Sequence, residues 1–180
     1  PSLVYENYEG ESAKLDATIE IIKNSIEGGH KVLLFSQFTS MLDIIKAELE
    51  ANDISHYMLT GSTKKQERHD LAESFNEDDT SVFLISLKAG GTGLNLVGAD
   101  IVIHFDPWWN MSAQNQATDR VYRIGQENNV VVYKMIADNT IEGKIVEMQE
   151  KKGKLAESIL EGSTTALTGI SEEELLQLFD

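Results

Sequence analysis

The sequence contains no cysteine and only four histidines, and both facts limit its chemistry. Without thiol groups, the chain can form neither a disulfide framework nor a thiolate metal site. The histidines, His30, His56, His69 and His104, form no pair at the i, i+4 spacing of a helical metal site. We therefore expect no metal centre built by this chain.

Long apolar stretches are also missing from the sequence. No run approaches the roughly 18 apolar residues of a membrane span. The first ten residues, PSLVYENYEG, lack the basic start and the apolar stretch of a signal peptide. We therefore expect a cytoplasmic protein without a membrane partner, and we interpret the start without methionine as that of a fragment from a longer protein.

Basic residues are scarce, with 15 lysines and arginines against 30 acids and a net charge of −15. Such an excess of acid argues against tight nucleic-acid binding, because the phosphate backbone is bound by cations. The distribution is uneven: residues 101–140 carry −1 (four acids, three bases), whereas residues 31–100 carry −5 (eleven acids, six bases). A nucleic-acid contact is therefore easiest to accommodate in the less acidic segment.

Short apolar runs alternate with segments of helical periodicity along the chain. The runs have strand length and no polar alternation, as expected for strands covered on both faces. Strands that alternate with helices predict a parallel sheet with right-handed crossovers, and hence a three-layer α/β domain. We predict strands at 31–36, 55–60, 81–86, 100–106 and 129–137, and helices at 12–28, 41–49, 63–75 and 141–159.

Two of these helices begin with the pattern of a capping box. Ser40 precedes Asp43 by three residues, and Thr63 precedes Gln66 by the same spacing. We therefore predict that the hydroxyls of Ser40 and Thr63 cap their helices.

The segment AGGTGLNL, residues 89–96, is a glycine-rich turn after the third predicted strand. A GxGxxG fingerprint would need a third glycine at Leu96, so the dinucleotide pattern fails. A tight turn and a phosphate contact through bare backbone N–H groups both remain open. The sequence has no GxxxxGK[ST], so the chain cannot by itself cradle a triphosphate on Mg²⁺. Asp106 in VIHFDP is then interpreted as a turn residue fixed by Pro107.

Two further patterns allow either a structural or a functional interpretation. In DPWWN the adjacent Trp108 and Trp109 point to opposite sides of the chain, so at least one ring should be exposed or at an interface. The pair either packs in a hydrophobic corner or offers a wedge or stacking surface to nucleic acid. Arg120 and Arg123 share a helix face with Gln116, and the neutral run around them offers few acids for ion pairs. From the residues alone, this arginine pair is either solvated surface or part of a site.

Taken together and in order, six segments resemble the successive motifs of the C-terminal RecA-like lobe of Swi/Snf-family ATPases, in superfamily 2. The similarity covers roughly residues 14 to 160, and the SLKAGG form and the acidic ending are similar to the bacterial branch. The segments are LLFSQFTSMLDII, LTGSTKKQERHDLAESFN, LISLKAGGTGLNLVGAD, VIHFDPWWN, QATDRVYRIGQ and TIEGKIVEMQEKK.

This resemblance implies a particular domain organisation. Residues 1–160 would form a three-layer RecA-like lobe of the P-loop NTPase type with a mainly parallel sheet, and helix 140–160 would be the family's brace. Beyond the reach of the resemblance, the residues themselves predict that 161–180 are a linker followed by a short acidic tail helix, with Ser171 and Glu174 at its start.

The resemblance also implies where ATP is bound. In this family the nucleotide lies between two lobes, and the Walker motifs belong to the N-terminal lobe, so ATP with Mg²⁺ would be bound mainly by that absent lobe. Arg120 and Arg123 match the arginine fingers that stabilise charge on the γ-phosphate. Nucleotide contacts are further implied at Gln116, Gly91, Gly93 and Asn95.

DNA contacts are implied at a second set of residues, which approach backbone phosphates of the tracking strand and the duplex. Backbone contacts of this kind carry no sequence information. The set comprises Ser36, Gln37, Gly61, Ser62, Ser86, Lys88, Thr92 and Trp109.

The implied function is that of the second motor lobe of an ATP-dependent translocase on double-stranded DNA, inactive without its N-terminal lobe. RNA polymerase or another DNA-bound protein is a candidate partner, in the cytoplasm and on the nucleoid. Met111 and Tyr122 depart from the family's usual proline and histidine. Two alternatives stay open: an unwinding helicase of superfamily 2, although its HRxGRxGR motif is absent, and a non-catalytic RecA-like interaction module.

Overall fold

Five parallel strands form one sheet in the computed structural model, which describes residues 12–90, 94–108 and 129–160. The strand order is β2-β3-β1-β4-β5, and each neighbouring pair is parallel. The strands are β1 (Val32–Ser36), β2 (His56–Leu59), β3 (Val82–Ser86), β4 (Ile101–His104) and β5 (Val131–Lys134). The helices are α1 (Ala13–Glu27), α2 (Thr39–Ala51), α3 (Lys65–Glu77), α4 (Leu87–Gly90) and α5 (Ile141–Leu160).

The three central strands are buried along their whole length, which explains their unbroken apolar sequences. Successive side chains point to opposite faces, so Leu33 and Phe35 join the core cluster on the α3 side of the sheet. Val32 and Leu34 join the cluster on the side of α1 and α2. Each of the five predicted strands is confirmed, and the predicted parallel α/β class is confirmed with them.

The two predicted capping boxes are wrong. Helix α2 begins at Thr39, two residues earlier than a Ser40 cap would allow, and no side chain caps it. Helix α3 follows Lys64, also without a side-chain cap. The hydroxyl of Thr63 is instead used one turn earlier, where it accepts a hydrogen bond from the amide of Thr60 at 3.1 Å. A local turn therefore competes successfully with the helix for this hydroxyl.

A second compact unit begins at residue 138 and contains helix α5. The predicted helix at 140–160 is thus present as Ile141–Leu160, while its role as a brace stays a prediction. The predicted tail helix, with Ser171 and Glu174, lies outside the described residues. Among the helices that the structure describes, none is both long and apolar enough to cross a membrane.

Candidate functional site

The carboxyl ends of the parallel strands bring four chain segments to one edge of the sheet. These segments follow β2, β3, β1 and β4, in the spatial order of the strands. In parallel α/β sheets this edge is where ligands are bound, because the loops that leave it come from different parts of the sequence. Five of the residues with predicted roles lie here: Ser36, Gln37, Gly61, Ser62 and Ser86.

Asp106 connects the ends of β1 and β4. One of its carboxylate oxygens accepts hydrogen bonds from the hydroxyl of Ser36 at 2.5 Å and from the amide of Gln37 at 3.2 Å. The side chain is buried, so both donors satisfy a carboxylate that water reaches poorly. The interpretation of Asp106 as a turn residue fixed by Pro107 is therefore corrected: it is a buried link between two strand ends.

Ser36 and Ser86 are both buried. The hydroxyl of Ser36 also accepts from the amide of Phe38 at 3.1 Å, which turns the chain from β1 into α2. Burial disfavours direct contact of these two side chains with a phosphate. Their assignment as DNA contacts stays a prediction, while the hydrogen bonds of Ser36 give it a structural role at the strand end.

Gln37 and Phe38 continue from this buried pair toward the surface. The side-chain amide of Gln37 donates to the carbonyl of Pro107 at 3.5 Å, a long bond that leaves it at the rim of the site. Phe38 is 55% exposed, a large apolar side chain at the same edge of the sheet. Sequence reasoning did not single out Phe38, since a phenylalanine beside a strand reads as core.

A compact turn follows β2 and carries the exposed residues Gly61 and Ser62. The amide of Thr63 donates to the carbonyl of Thr60 at 3.2 Å, and the Thr60 amide donates back to the Thr63 hydroxyl at 3.1 Å. The hydroxyls of Thr60 and Ser62 are 2.8 Å apart. The turn is thus closed by its own polar groups, and its tip stays accessible.

Arg68, in the first part of α3, fastens this turn to the helix. Its Nε donates to the carbonyl of Thr63 at 2.7 Å, and its Nη2 donates to the carbonyl of Gly61 at 2.9 Å. Sequence reasoning missed Arg68, because nothing in the spacing TGSTKKQER says whether an arginine after such a turn faces solvent or folds back.

Asn95 lies apart from these strand ends. Its carbonyl accepts from the side chain of Asn76 at 3.0 Å, and Asn76 also accepts from the amide of Gly98 at 2.9 Å. Asn76 is in the last turn of α3, close to where the chain enters β3. An open groove of about 1090 Å³ runs along α3 between Lys65, Arg68, His69, Glu73, Asn76 and Asn95. Asn95 thus shares this groove with Arg68, whereas Gly61 and Ser62 are not among the residues that line it.

The remaining predicted site residues cannot be placed on the structure. The side chain of Lys88 is outside the described part of the chain, and so are seven whole residues. These are Gly91, Thr92, Gly93, Trp109, Gln116, Arg120 and Arg123. The neighbouring Trp108 is partly buried and packs against the core cluster on the α3 side of the sheet.

His104, at the end of β4, is held in its neutral form. Burial lowers the pKa of its imidazole to about 4, and the nearby charge of Lys134 contributes in the same direction. Its ring stacks on Phe35 with 5.5 Å between centroids. Within the described ranges, no three histidine, aspartate or glutamate side chains are placed to hold a metal ion.

Comparison of the sequence with known proteins identifies the type of domain to which the chain belongs. The family described as "helicase conserved C-terminal domain" matches residues 13–125. The Bacillus subtilis protein named putative ATP-dependent helicase/translocase YwqA is 44% identical over 94% of this chain and 18% of its own length. The Saccharomyces cerevisiae ISWI chromatin-remodeling complex ATPase ISW2 is 37% identical over 93% of this chain and 15% of its own length.

A solved structure supports the same assignment. The crystal structure of the C-terminal part of the Fun30 ATPase domain superimposes with a TM-score of 0.74 at 39% identity. The superposition covers 79% of this chain and 47% of that one. The chain thus spans less than a fifth of each of these two curated relatives and about half of the solved structure.

Proposed function

The chain belongs to the helicase conserved C-terminal domain family, and from this premise we propose that it is the second motor lobe of a Swi/Snf-type, ATP-dependent translocase on duplex DNA. The RecA-like fold and the resemblance to Swi/Snf-type ATPases are confirmed by the relatives and by the Fun30 structure. The observation that carries the proposal is the similarity to the C-terminal part of the Fun30 ATPase domain, because sequence and fold agree over 79% of this chain.

The ATP site would lie between two lobes, and this lobe would contribute one side of it. The sequence has no phosphate-cradling GxxxxGK[ST] motif, and the described residues include no carboxylate cluster that fits Mg²⁺. We therefore assign nucleotide and metal binding mainly to an N-terminal lobe. Arg120 and Arg123 would enter from this lobe as cations that stabilise the charge developing on the transferred phosphoryl group.

The DNA-binding surface would include the carboxyl edge of the sheet. There the exposed turn at Gly61 and Ser62 is followed, after Thr63, by two exposed lysines: Lys64 immediately before α3 and Lys65 as its first residue. This puts two cations beside exposed polar groups in a chain whose net charge is −15. Phosphate contacts of this type hold the duplex without reading its sequence, which suits a motor that moves along DNA. The acidic remainder of the lobe predicts weak DNA binding by the lobe alone.

The test is DNA-stimulated ATP hydrolysis by the protein that carries both lobes, comparing Arg123→Ala with the unmutated form. Loss of an arginine finger is worth about 10³–10⁵ in rate, so we expect a steep fall in kcat while ATP and duplex DNA still bind. Lys46→Ala is the control, because Lys46 lies on α2 and, among the residues that the structure describes, forms only a 3.6 Å surface pair with Glu50.

Two outcomes would contradict the proposal. An unchanged hydrolysis rate in Arg123→Ala would favour the non-catalytic interaction module. Separation of duplex strands by the unmutated protein, without displacement of a third strand bound in the major groove, would favour the unwinding helicase.

A further inference from the structure

The turn after β2 is held from one side by a single guanidinium. Side chains on a helix lean toward its N-terminus, so Arg68, the fourth residue of α3, reaches back over the residues that precede the helix. There its two donors bind the carbonyls of Gly61 and Thr63 at 2.9 and 2.7 Å. Within the described residues Arg68 forms no ion pair, so these carbonyls are its polar partners.

Peptide geometry then fixes where the neighbouring amides point. In a trans peptide the C=O and the following N–H lie in one plane and point in opposite directions. A carbonyl of Gly61 that faces Arg68 therefore turns the amide of Ser62 away from it, and the carbonyl of Thr63 does the same for the amide of Lys64. Neither amide donates a hydrogen bond to any described residue. The amide of Thr63, which lies between them, donates instead to the carbonyl of Thr60, so the amides of Ser62 and Lys64 are the two outward donors that this turn can offer to an anion.

We propose that Arg68 is a positioning residue for the DNA contact: it holds two carbonyls inward so that the amides of Ser62 and Lys64 face a backbone phosphate. This inference rests on the proposed function. Its mechanism differs from direct contact, because the charge of Arg68 is used on the protein's own backbone. The planar fork of arginine, with two donors in fixed geometry, matches two carbonyls in a way that a lysine ammonium does not.

The experiment must separate the effect of the planar guanidinium from the effect of its positive charge. Arg68→Lys keeps the charge and loses the fork, whereas Arg68→Ala loses both. Gln66→Ala is the matched control, since the side chain of Gln66, on the same helix, bonds within the described ranges only to the exposed Asp70, at 2.9 Å. The first measurement is hydrogen exchange of the Thr60 and Thr63 amides, which close the turn. The second is duplex DNA binding by the protein with both lobes, over a series of salt concentrations.

We expect both Arg68 variants to speed exchange at Thr60 and Thr63 and to raise the Kd for duplex DNA roughly tenfold, as for the loss of one well-placed hydrogen-bonding group. The dependence of log K on log salt should keep its slope, because a neutral amide releases no counterion. The control should match the unmutated protein in both measurements.

Other results overturn the inference. If Arg68→Lys binds DNA normally and Arg68→Ala loses about 0.9 from the salt slope, Arg68 contacts a phosphate directly. Unchanged exchange in Arg68→Lys would show that the turn does not need the fork. Faster exchange at Thr60 and Thr63 in the Arg68 variants, with unchanged DNA affinity, would show that the turn does not bind DNA.

If an Arg68 variant fails to fold, a variant at Thr63 still tests the inference. Thr63→Ala removes the hydroxyl that receives the Thr60 amide and alters no charge. It should loosen the same turn and weaken DNA binding with the same salt slope. Failure of the unmutated protein to bind DNA would overturn the proposed function itself, and the exchange measurement would then still decide whether Arg68 fixes the turn.

Discussion

The two edges of the sheet use their charged side chains differently. At the amino ends of the strands, these side chains bond to other parts of the fold. At the carboxyl ends, they hold turns whose tips stay exposed. The ammonium of Lys31 donates to the carbonyl of Phe75 at 2.6 Å and to that of Asp78. His30, just before β1, bonds Asp100 at 2.7 Å. At this edge the contacts join the segment before β1 to the end of α3 and to the segment before β4, so they act on the stability of the fold.

The carboxyl edge uses similar contacts for a different purpose. Asp106 and Arg68 each bind two groups from a neighbouring segment, but Gly61, Ser62 and Phe38 remain exposed beside them. Fixed backbone with free donors is the arrangement that binding needs, because the entropy of ordering the turn is lost before the ligand arrives. The comparison predicts that substitutions at the amino edge change stability, whereas substitutions at the carboxyl edge change DNA binding more.

The largest stability effect is expected for Lys31→Met. Methionine keeps the apolar stem but loses the bonds to two carbonyls near the end of α3 and the contact with the Phe75 ring, 4.9 Å away. We expect the free energy of unfolding to fall by about 2 kcal/mol, with no change in the DNA affinity of the two-lobe protein. Urea unfolding of the chain measures the first quantity.

The exposed Lys46 supplies the control for this prediction. Its pair with Glu50 is a surface i, i+4 contact, so Lys46→Met should cost less than about 0.5 kcal/mol. Equal urea midpoints for the two variants would remove the distinction that we draw between the amino edge and ordinary surface.

Local patterns in the sequence predicted the elements well but not their arrangement. All five strands lie within the predicted segments, because an unbroken apolar run between turn residues has few other folded forms. The order β2-β3-β1-β4-β5 was not predicted, since pairing depends on how the helices cross the sheet. Asp106 was misread for the same reason: its partners Ser36 and Gln37 are about 70 residues away.

The candidate site was predicted only where the family resemblance supplied it. The Gly61 and Ser62 turn is exposed at the ligand-binding edge, while Ser36 and Ser86 lie beneath the surface. Composition and spacing cannot tell an exposed serine from a buried one at the end of a strand. Arg68 was missed because its role depends on the direction of two carbonyls, which no residue pattern encodes.

A pair of glycines compares the two edges at a smaller scale. A Cβ added to Gly98, at the amino edge, would lie 3.0 Å from Cα and Oδ1 of Asn76 and 3.4 Å from the carbonyl of Phe75. Gly98→Ala should therefore cost about 1 kcal/mol of stability. A Cβ on Gly61 would meet no atom within 4 Å, and Gly61 has no positive φ.

Gly61→Ala should thus leave stability unchanged within about 0.5 kcal/mol. Its added methyl group stands on the exposed turn, so the Kd for DNA should rise. Thermal unfolding and DNA titration of both variants test this expectation: Gly98→Ala should lower stability, and Gly61→Ala should weaken DNA binding. Weaker DNA binding in Gly98→Ala, with Gly61→Ala unaffected, would reverse our assignment of the edges.

The smallest effect concerns a single hydroxyl at the amino edge and depends on pH. Tyr57 donates to the carboxylate of Asp78 at 2.6 Å, and this bond, followed by that from the Thr80 amide, lowers the pKa of Asp78 below its usual 3.8. A lowered folded-state pKa stabilises the fold fully above pH 3.8, and that stabilisation is lost as the pH falls through the folded-state pKa. Tyr57→Phe should therefore cost about 0.5 kcal/mol at pH 7, because the carboxylate is partly exposed to solvent.

As the pH falls below the folded-state pKa of Asp78, the carboxylate takes up its proton and the two proteins should approach equal stability. The ring itself is kept in the variant, so its packing against Phe83 does not change. Tyr133→Phe, at a partly exposed position on the edge strand β5, is the control and should show no pH-dependent difference. Urea midpoints at pH 7 and at successively lower pH, down through the folded-state pKa of Asp78, measure the effect. A stability difference that persists at the lowest pH would mean that Tyr57 acts through packing and not through the Asp78 carboxylate.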